Sequence, residues 1–109
     1  MRVLLIEALG RVGGISTSGL MSHWTGSVRS SLYDELWQRA ADKNAFERGK
    51  PKKQIDPELL TVTYYEMLQE ANVEILLYTF VCGVMREGSR LTGVITESKS
   101  GRAAYAAKR

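Results

Sequence analysis

The sequence predicts an α/β domain in which a buried strand precedes two helices and an antiparallel β-meander. Three observations predict this class. The run Val3 to Ile6 is continuously apolar, as in a parallel-sheet strand that is covered on both faces. The segment from Asp56 to Asn72 carries the start and stop signals of a helix. Three β-prone runs follow it, joined by the turn-like sequences EGSR and KSGR.

The first strand, residues 1–7, ends in a single acid, Glu7, and leads into a loop over residues 8–29 that is rich in Gly, Ser and Thr. Between residues 12 and 28 the chain has no Lys, Arg, Asp or Glu. A solvated surface loop would carry charges, and a core helix would not carry so many glycines and hydroxyls. We therefore expect something other than bulk water to face this loop.

Residues 30–72 are predicted to be mainly helical. The first helix covers roughly 31 to 42, because Ser30 or Ser31 can cap it, and its apolar face is expected to contain Leu32, Leu36 and Ala40. The basic stretch 43–54, with Gly49 and Pro51, predicts a loop.

The second helix is the most clearly marked element. Asp56 is a strong N-cap, Pro57 fits the first helical position, and Asn72 suits the left-handed position after the last turn. Leu60, Tyr64, Met67, Leu68 and Ala71 then share one face. Strands are expected at about 73–86, 90–98 and 102–107, so that 73–109 forms the meander and 1–109 a single partial domain.

Composition narrows the function classes. An apolar share of 44% with 25% charged residues is that of a soluble globular domain. The net charge of +3 is too small and dispersed to indicate nucleic-acid binding, and no segment is long enough to predict a membrane span. One cysteine, Cys82, excludes an intrachain disulfide and a cysteine metal cluster held by this chain alone. We expect a cytoplasmic protein without a metal site.

The opening 18 residues contain the pattern with the most chemical meaning. In dinucleotide-binding units, an acid that ends the second strand accepts hydrogen bonds from ribose hydroxyls, and Glu7 has this kind of position. Gly13 and Gly14 allow close backbone approach to a ligand, and Ser16 and Thr17 add hydroxyls that suit phosphate or polyol groups. The alternatives are a solvated strand-end acid and a flexible surface turn.

These residues carry a resemblance to a known family. The segment VLLIEALGRVGGISTSG resembles the second strand and following loop of FAD-dependent oxidoreductases with the two-dinucleotide-binding, Rossmann-like fold. The segment from Ile55 to Arg102 resembles the helix and β-meander of the same family. The chain is most similar to the group that includes the FAD subunit of heterodisulfide reductase.

The resemblance implies a role for six residues. It assigns Glu7 to the adenosine ribose, and Gly13, Gly14, Ser16 and Thr17 to the stretch beside the ribityl and phosphate groups of FAD. Val81 matches the meander position whose backbone meets the adenine edge. No catalytic residue is implied. The family's flavin transfers electrons or a hydride, so a small-molecule substrate or electron-transfer partner is expected, with an iron–sulfur protein as one candidate partner.

The sequence departs from the family pattern in several places. Ala8 stands where a base is common, and Asn72 replaces the glycine that usually follows the helix. The glycine fingerprint of the family lies roughly 20 residues before the acid, whereas Glu7 is the seventh residue here. We therefore expect the chain to be a piece of a longer enzyme, without the first strand and its Gly-rich turn, and to be inactive and a poor FAD binder when isolated.

Two other classes remain open. One is a non-catalytic interaction domain on a decayed nucleotide-binding scaffold, and the other, ranked below it, is a small basic nucleic-acid binder. His23 could move a proton, but a packed or hydrogen-bonded structural histidine is favoured. Cys82 is expected to be a buried, inert thiol on a strand.

Overall fold

A computed structural model describes residues 2–21, 23, 30–43 and 55–107. Its elements, in chain order, are β1 (Val3–Ile6), a 3-10 turn (Gly14–Ser16), α1 (Ser31–Asp42), α2 (Pro57–Glu70), β2 (Val73–Leu76), β3 (Phe80–Glu87), β4 (Arg90–Ser98) and β5 (Gly101–Ala106). The chain divides into two compact units, one made of Met1–Gly10 and Glu74–Arg109 and the other of Arg11–Val73. The predicted α/β class, with a partial Rossmann-like fold, is confirmed.

The first unit contains two small sheets. Strands β1 and β2 pair in parallel, and the Glu7 N–H continues their ladder by donating to the Leu76 carbonyl at 2.8 Å. Strands β3, β4 and β5 form an antiparallel sheet in that order. The tight turns in this meander contain Gly88 and Gly101, whose φ angles of 58° and 103° suit glycine best.

The predicted single strand over 73–86 is wrong, because the structure divides this run into β2 and β3. The break lies at Leu77–Thr79, where Tyr78 adopts a φ of 51° that no β-strand contains. As a result β2 pairs with β1, and of these two strands β3 alone belongs to the meander with β4 and β5. The two later strands lie within one residue of their expected bounds.

The expectation that Cys82 is buried is also wrong. β3 is an edge strand of its sheet, and its pairing with β4 shifts register between Val81 and Gly83, so that Cys82 has no direct partner. The Cys82 side chain is exposed, with Sγ 3.5 Å from the Ile95 carbonyl oxygen.

Both predicted helices are confirmed, together with their caps. Ser30 is the N-cap of α1, and its Oγ accepts a hydrogen bond from the Tyr33 N–H at 3.1 Å. Asp56 caps α2 by accepting from the N–H groups of Glu58 and Leu59 at 2.9 and 3.0 Å. Asn72, just beyond α2, has a φ of 53°, the left-handed conformation expected there.

The apolar core of the second unit lies between α1 and α2. It consists of four buried side chains, Leu36, Ala40, Ile55 and Leu60, against which Trp37, Leu59, Tyr64 and Met67 pack. Leu32 was expected on the buried face of α1, but it is 64% exposed because it lies in the first turn, beyond the reach of this cluster.

Within the described part of the chain, no helix combines the length and the apolar character that crossing a bilayer requires. The predicted basic loop lies, from residue 44 to residue 54, outside the described residues.

Candidate functional site

Glu7 lies directly after β1, at the carboxyl end of the parallel pair. Its side-chain Oε1 accepts a hydrogen bond from the N–H of Leu9, two residues further along the chain, at 2.8 Å. The residue is half-buried. A carboxylate offers about four acceptor positions, so one fixed bond orients the group and leaves capacity for hydroxyl donors from a ligand.

The backbone around Glu7 is fastened to the segment that follows β2. The Glu7 carbonyl accepts from the Thr79 N–H at 3.0 Å, and the Leu9 carbonyl accepts from the Tyr78 N–H at 3.1 Å. Thr79 is buried, and its hydroxyl donates to the Leu77 carbonyl at 2.9 Å. The acid therefore projects from a turn whose path is fixed at two points.

Val81 lies in β3 of the same unit, opposite Thr96 of β4. Its side chain is 52% exposed, so it is not a simple core position. Among the described strands β3 has a neighbour on one side only, so part of its backbone N–H and C=O groups point away from this sheet and lie outside its ladder. A backbone contact with a ligand needs such groups.

Gly13 and Gly14, where the sequence predicts close backbone approach by a ligand, form a tight turn in the second unit, and that ligand contact stays a prediction. Their φ angles are 104° and 55°. A Cβ at position 13 would lie 2.6 Å from Cγ2 of Thr17 and 2.8 Å from Cε2 of Tyr64, whereas a Cβ at position 14 would meet no atom of the described residues within 4 Å. Gly13 is thus required by the packing inside the loop, whereas nothing described would crowd a side chain at Gly14.

The hydroxyls predicted beside this turn have internal partners. Ser16 Oγ donates to the Gly13 carbonyl at 2.7 Å, and the fully buried Thr17 donates to the Val12 carbonyl at 2.6 Å. The Gly14 carbonyl accepts from the N–H groups of Thr17, Ser18 and Gly19 at 2.9 to 3.3 Å. In this structure both hydroxyls shape the loop, and their contact with a ligand stays a prediction.

Sequence reasoning did not identify Arg11 or Tyr78. Arg11 Nη1 donates to Oε1 of Glu58 at 2.7 Å, which ties the glycine loop to the first turn of α2. Tyr78 covers Gly10 so closely that a Cβ at position 10 would overlap the phenol ring. In the sequence, Gly10 alone hints at close packing at this position, and it does not indicate that Tyr78 is the residue that packs there. A tyrosine gives no indication that its φ will be positive.

Among the described residues, no group of three or more His, Cys, Asp or Glu side chains is arranged to hold a metal ion. His23 is exposed rather than packed, and neighbouring residues 22 and 24–29 lie outside the described residues. In the first unit the shifted pKa values belong to exposed ion pairs: hydrogen bonds from Arg2 to Glu74 and from Arg102 to Glu97 raise the pKa of each guanidinium. Such exposed pairs contribute little to stability.

Comparison with known proteins identifies the class. The model of the FAD dependent oxidoreductase family matches residues 1–109. The crystal structure of Thermovibrio ammonificans THI4 is similar with a TM-score of 0.61 at 14% sequence identity, over 98% of this chain and 45% of that protein. At this identity the likeness concerns the fold, and the chain spans less than half the length of that protein. No curated protein matches the chain.

The family match includes β1 with its terminal acid Glu7, the glycine loop, both helices and the meander. The chain belongs to the family of FAD-dependent oxidoreductases.

Proposed function

We propose that this chain binds the adenosine part of FAD in a flavin-dependent oxidoreductase, and that Glu7 accepts hydrogen bonds from the ribose hydroxyls. The observation that carries the proposal is the fixed carboxylate at the carboxyl end of a parallel strand pair. Ligands of open α/β sheets bind outside the carboxyl ends of the strands. The Leu9 N–H holds Oε1 at 2.8 Å, so the carboxylate is oriented before a ligand arrives.

Val81 supports the same role from β3. The adenine edge presents one hydrogen-bond donor group and ring acceptors, which a backbone N–H and C=O pair can match without help from a side chain. The position of β3 at the sheet edge and the 52% exposure of Val81 favour such a contact. Because a backbone contact does not depend on the side chain, an exposed valine at position 81 is compatible with this role.

The glycine loop is proposed to contact the ribityl and phosphate groups. Gly14 suits this role because no atom of the described residues lies within 4 Å of a Cβ built there, which leaves room for a ligand to approach its backbone. Gly13, Ser16 and Thr17 hold the loop in shape through the contacts already described. Of the two glycines, Gly14 is the one at which a Cβ would meet no described atom within 4 Å.

FAD supplies the electron or hydride transfer itself, while the protein binds, orients and tunes it. We propose an activity of the kind found in the group that includes the heterodisulfide reductase FAD subunit, in the cytoplasm, with a small-molecule substrate or an electron-transfer protein as partner. These features belong to the whole enzyme, since the chain spans 45% of the length of the THI4 structure.

The proposal is tested by titrating the purified chain with FAD and following the quenching of flavin fluorescence. Replacing Glu7 by Gln removes the charge that strengthens hydrogen bonds from hydroxyls. Hydrogen bonds to charged groups contribute about 1.5–3 kcal/mol, so we expect Kd to rise about 10-fold to 100-fold.

The matched control is Glu74→Gln, which makes the same chemical change at an exposed carboxylate of the same unit whose partner is Arg2. We expect this variant to bind FAD like the natural sequence. Equal binding by all three proteins contradicts the proposed role of Glu7. A stable, monodisperse chain that shows no saturable FAD binding favours the alternative of a non-catalytic interaction domain.

A further inference from the structure

Tyr78 has a backbone conformation that is unfavourable for a bulky residue. Its φ of 51° lies in the left-handed region, which aromatic residues rarely adopt. The side chain is also 64% exposed, so burial in a core does not compensate for this conformation. Strained residues of this kind cluster at binding and catalytic sites, and the contacts of Tyr78 indicate what its conformation achieves.

The backbone N–H and the ring of Tyr78 both contact the turn that carries Glu7. Its N–H donates to the Leu9 carbonyl at 3.1 Å, and the next residue, Thr79, donates its N–H to the Glu7 carbonyl at 3.0 Å. Its phenol ring lies over Gly10, where Oη, Cζ and Cε1 occupy the space that a Cβ would need. In this left-handed conformation Tyr78 places its N–H on the Leu9 carbonyl and its ring on Gly10.

Leu9 links these contacts to the carboxylate. Its carbonyl is held by Tyr78, and its N–H is the donor that fixes Oε1 of Glu7 at 2.8 Å. If the ring left Gly10, the turn would gain freedom at the residue next to Leu9. The Leu9 N–H would then hold the carboxylate in one rotamer for a smaller part of the time.

We infer that Tyr78 is a positioning residue for Glu7. It clamps the turn Glu7–Gly10 and thereby keeps the carboxylate oriented toward the ribose hydroxyls of a nucleotide. The inference rests on the proposed function for the identity of the ligand. The clamp itself is a property of the protein alone, and it can be measured without any ligand.

Three variants separate the ring from the backbone. Tyr78→Gly keeps the backbone N–H and suits the positive φ, so it is expected to fold, but it removes the ring from Gly10. Tyr78→Phe keeps the ring and removes only the hydroxyl. Glu7→Gln removes the charge that the clamp orients. A purely structural role for Tyr78 predicts that Tyr78→Gly, which relieves the backbone strain, has no effect on Glu7.

The ligand-free measurement is the chemical shift of the Leu9 amide in a proton–nitrogen NMR spectrum. In the natural sequence, Glu7→Gln should shift this signal, because the amide loses a charged acceptor. In the Tyr78→Gly background the same substitution should shift it by less than half as much. In the Tyr78→Phe background the full shift should return. An undiminished shift in the Tyr78→Gly background would contradict the inference that the Tyr78 ring holds the turn Glu7–Gly10.

The ligand measurement compares ADP with 2′-deoxy-ADP by NMR titration. Because loss of one hydrogen bond to a charged group costs a factor of about ten or more, the natural sequence and Tyr78→Phe should prefer ADP about tenfold. Tyr78→Gly should reduce this preference to about threefold or less, and Glu7→Gln should reduce it to a similar value, because the Gln oxygen still accepts a weaker, uncharged hydrogen bond. Combining Tyr78→Gly with Glu7→Gln should have no further effect on the ratio.

The two measurements fail in different ways. If the natural sequence does not distinguish the two nucleotides while the Leu9 signal behaves as described, the ribose-binding role of Glu7 is overturned and the clamp stands. If the nucleotides are distinguished equally well by Tyr78→Gly and the natural sequence, the positioning role of Tyr78 is overturned and the proposed function stands.

Discussion

Arg39 in α1 forms a bidentate ion pair with Glu70 in α2, with Nη1 2.8 Å from Oε1 and Nη2 2.6 Å from Oε2. The same guanidinium also donates to Glu35, one helical turn earlier. A second pair, between Lys43 and Glu66 at 2.6 Å, joins the region after α1 to α2. The two helices are therefore connected by charge as well as by the apolar core that they share.

This arrangement predicts a loss of stability in acid. The hydrogen bond from Arg39 is the main cause that holds the pKa of Glu70 below its ordinary value. A carboxyl whose pKa is lower in the folded state stabilises the fold above its unfolded pKa of about 4.3, and this contribution is lost as the pH falls through the folded pKa. Urea unfolding at about pH 7 and at successively lower pH values measures the effect.

The Glu70→Gln variant should show a smaller loss between the same pH values, since it lacks the group that titrates. Glu87→Gln, which changes an exposed acid at the end of β3, provides the control and should follow the natural sequence. Equal acid sensitivity of Glu70→Gln and the natural sequence would show that other carboxyls carry the effect.

Gly13→Ala should destabilise the second unit strongly. The φ of 104° is unfavourable for alanine, and the new methyl group would lie 2.6 Å from Cγ2 of Thr17. Strain at such positions costs roughly 1–3 kcal/mol, and the overlap adds to it. Gly14→Ala is the matched control, because its φ of 55° is also positive but its Cβ would meet no atom of the described part of the chain within 4 Å.

We expect Gly14→Ala to lose only the strain energy, about 1–2 kcal/mol. Each kcal/mol corresponds to a decrease in Tm of about 4–8 °C for a domain near this size, so thermal unfolding resolves the difference. If the two alanine variants unfold at the same temperature, the contact between Gly13 and Thr17 is not what requires the glycine.

Thr17→Val should destabilise the loop although it preserves the shape of the side chain. The Thr17 hydroxyl is fully buried and donates to the carbonyl of Val12, which is itself only 4% exposed. Removing the donor leaves a buried carbonyl without this partner, at a cost of about 1–3 kcal/mol. Thr17→Ser keeps the hydroxyl and loses a methyl group. Chemical denaturation should rank Thr17→Val below Thr17→Ser, and the reverse order would mean that packing dominates.

The parts of the fold that sequence reasoning predicted correctly depend on local chemistry. Caps at Ser30 and Asp56 fix where α1 and α2 begin, because a side-chain oxygen satisfies N–H groups that no helix bond can reach. The position of Glu7 directly after β1 was predicted from local pattern in the same way, whereas the ligand contacts of Glu7, Gly13 and Gly14 stay predictions.

The features of the fold that the sequence did not predict depend on pairing between segments that are distant in the chain. The division of 73–86 into β2 and β3 follows from the pairing of β2 with β1, some 70 residues earlier. The exposure of Cys82 follows from a register shift between β3 and β4. Tyr78 and Gly10 meet for the same reason as β1 and β2 do. Neither residue carries a local signal of its partner.

Gly93→Ala should destabilise the meander. Gly93 is buried in the central strand β4, between Met85 of β3 and Ala106 of β5, and a Cβ there would overlap the Met85 side chain and the Tyr105 carbonyl oxygen. The methionine could move, but the carbonyl belongs to the neighbouring strand and cannot move without disturbing the β4–β5 ladder. Overpacking of this kind costs roughly 1–3 kcal/mol.

Two further variants test whether the crowding at Gly93 is the cause. Gly83→Ala is the control from the same sheet, because its Cβ would lie 3.5 Å from Ile95, an ordinary contact; we expect it to stay within about 0.5 kcal/mol of the natural sequence. Combining Gly93→Ala with Met85→Ala should not restore stability, since the Tyr105 carbonyl still blocks the methyl group. Full recovery in hydrogen exchange of the β4 and β5 amides would instead assign the crowding at Gly93 to the Met85 side chain.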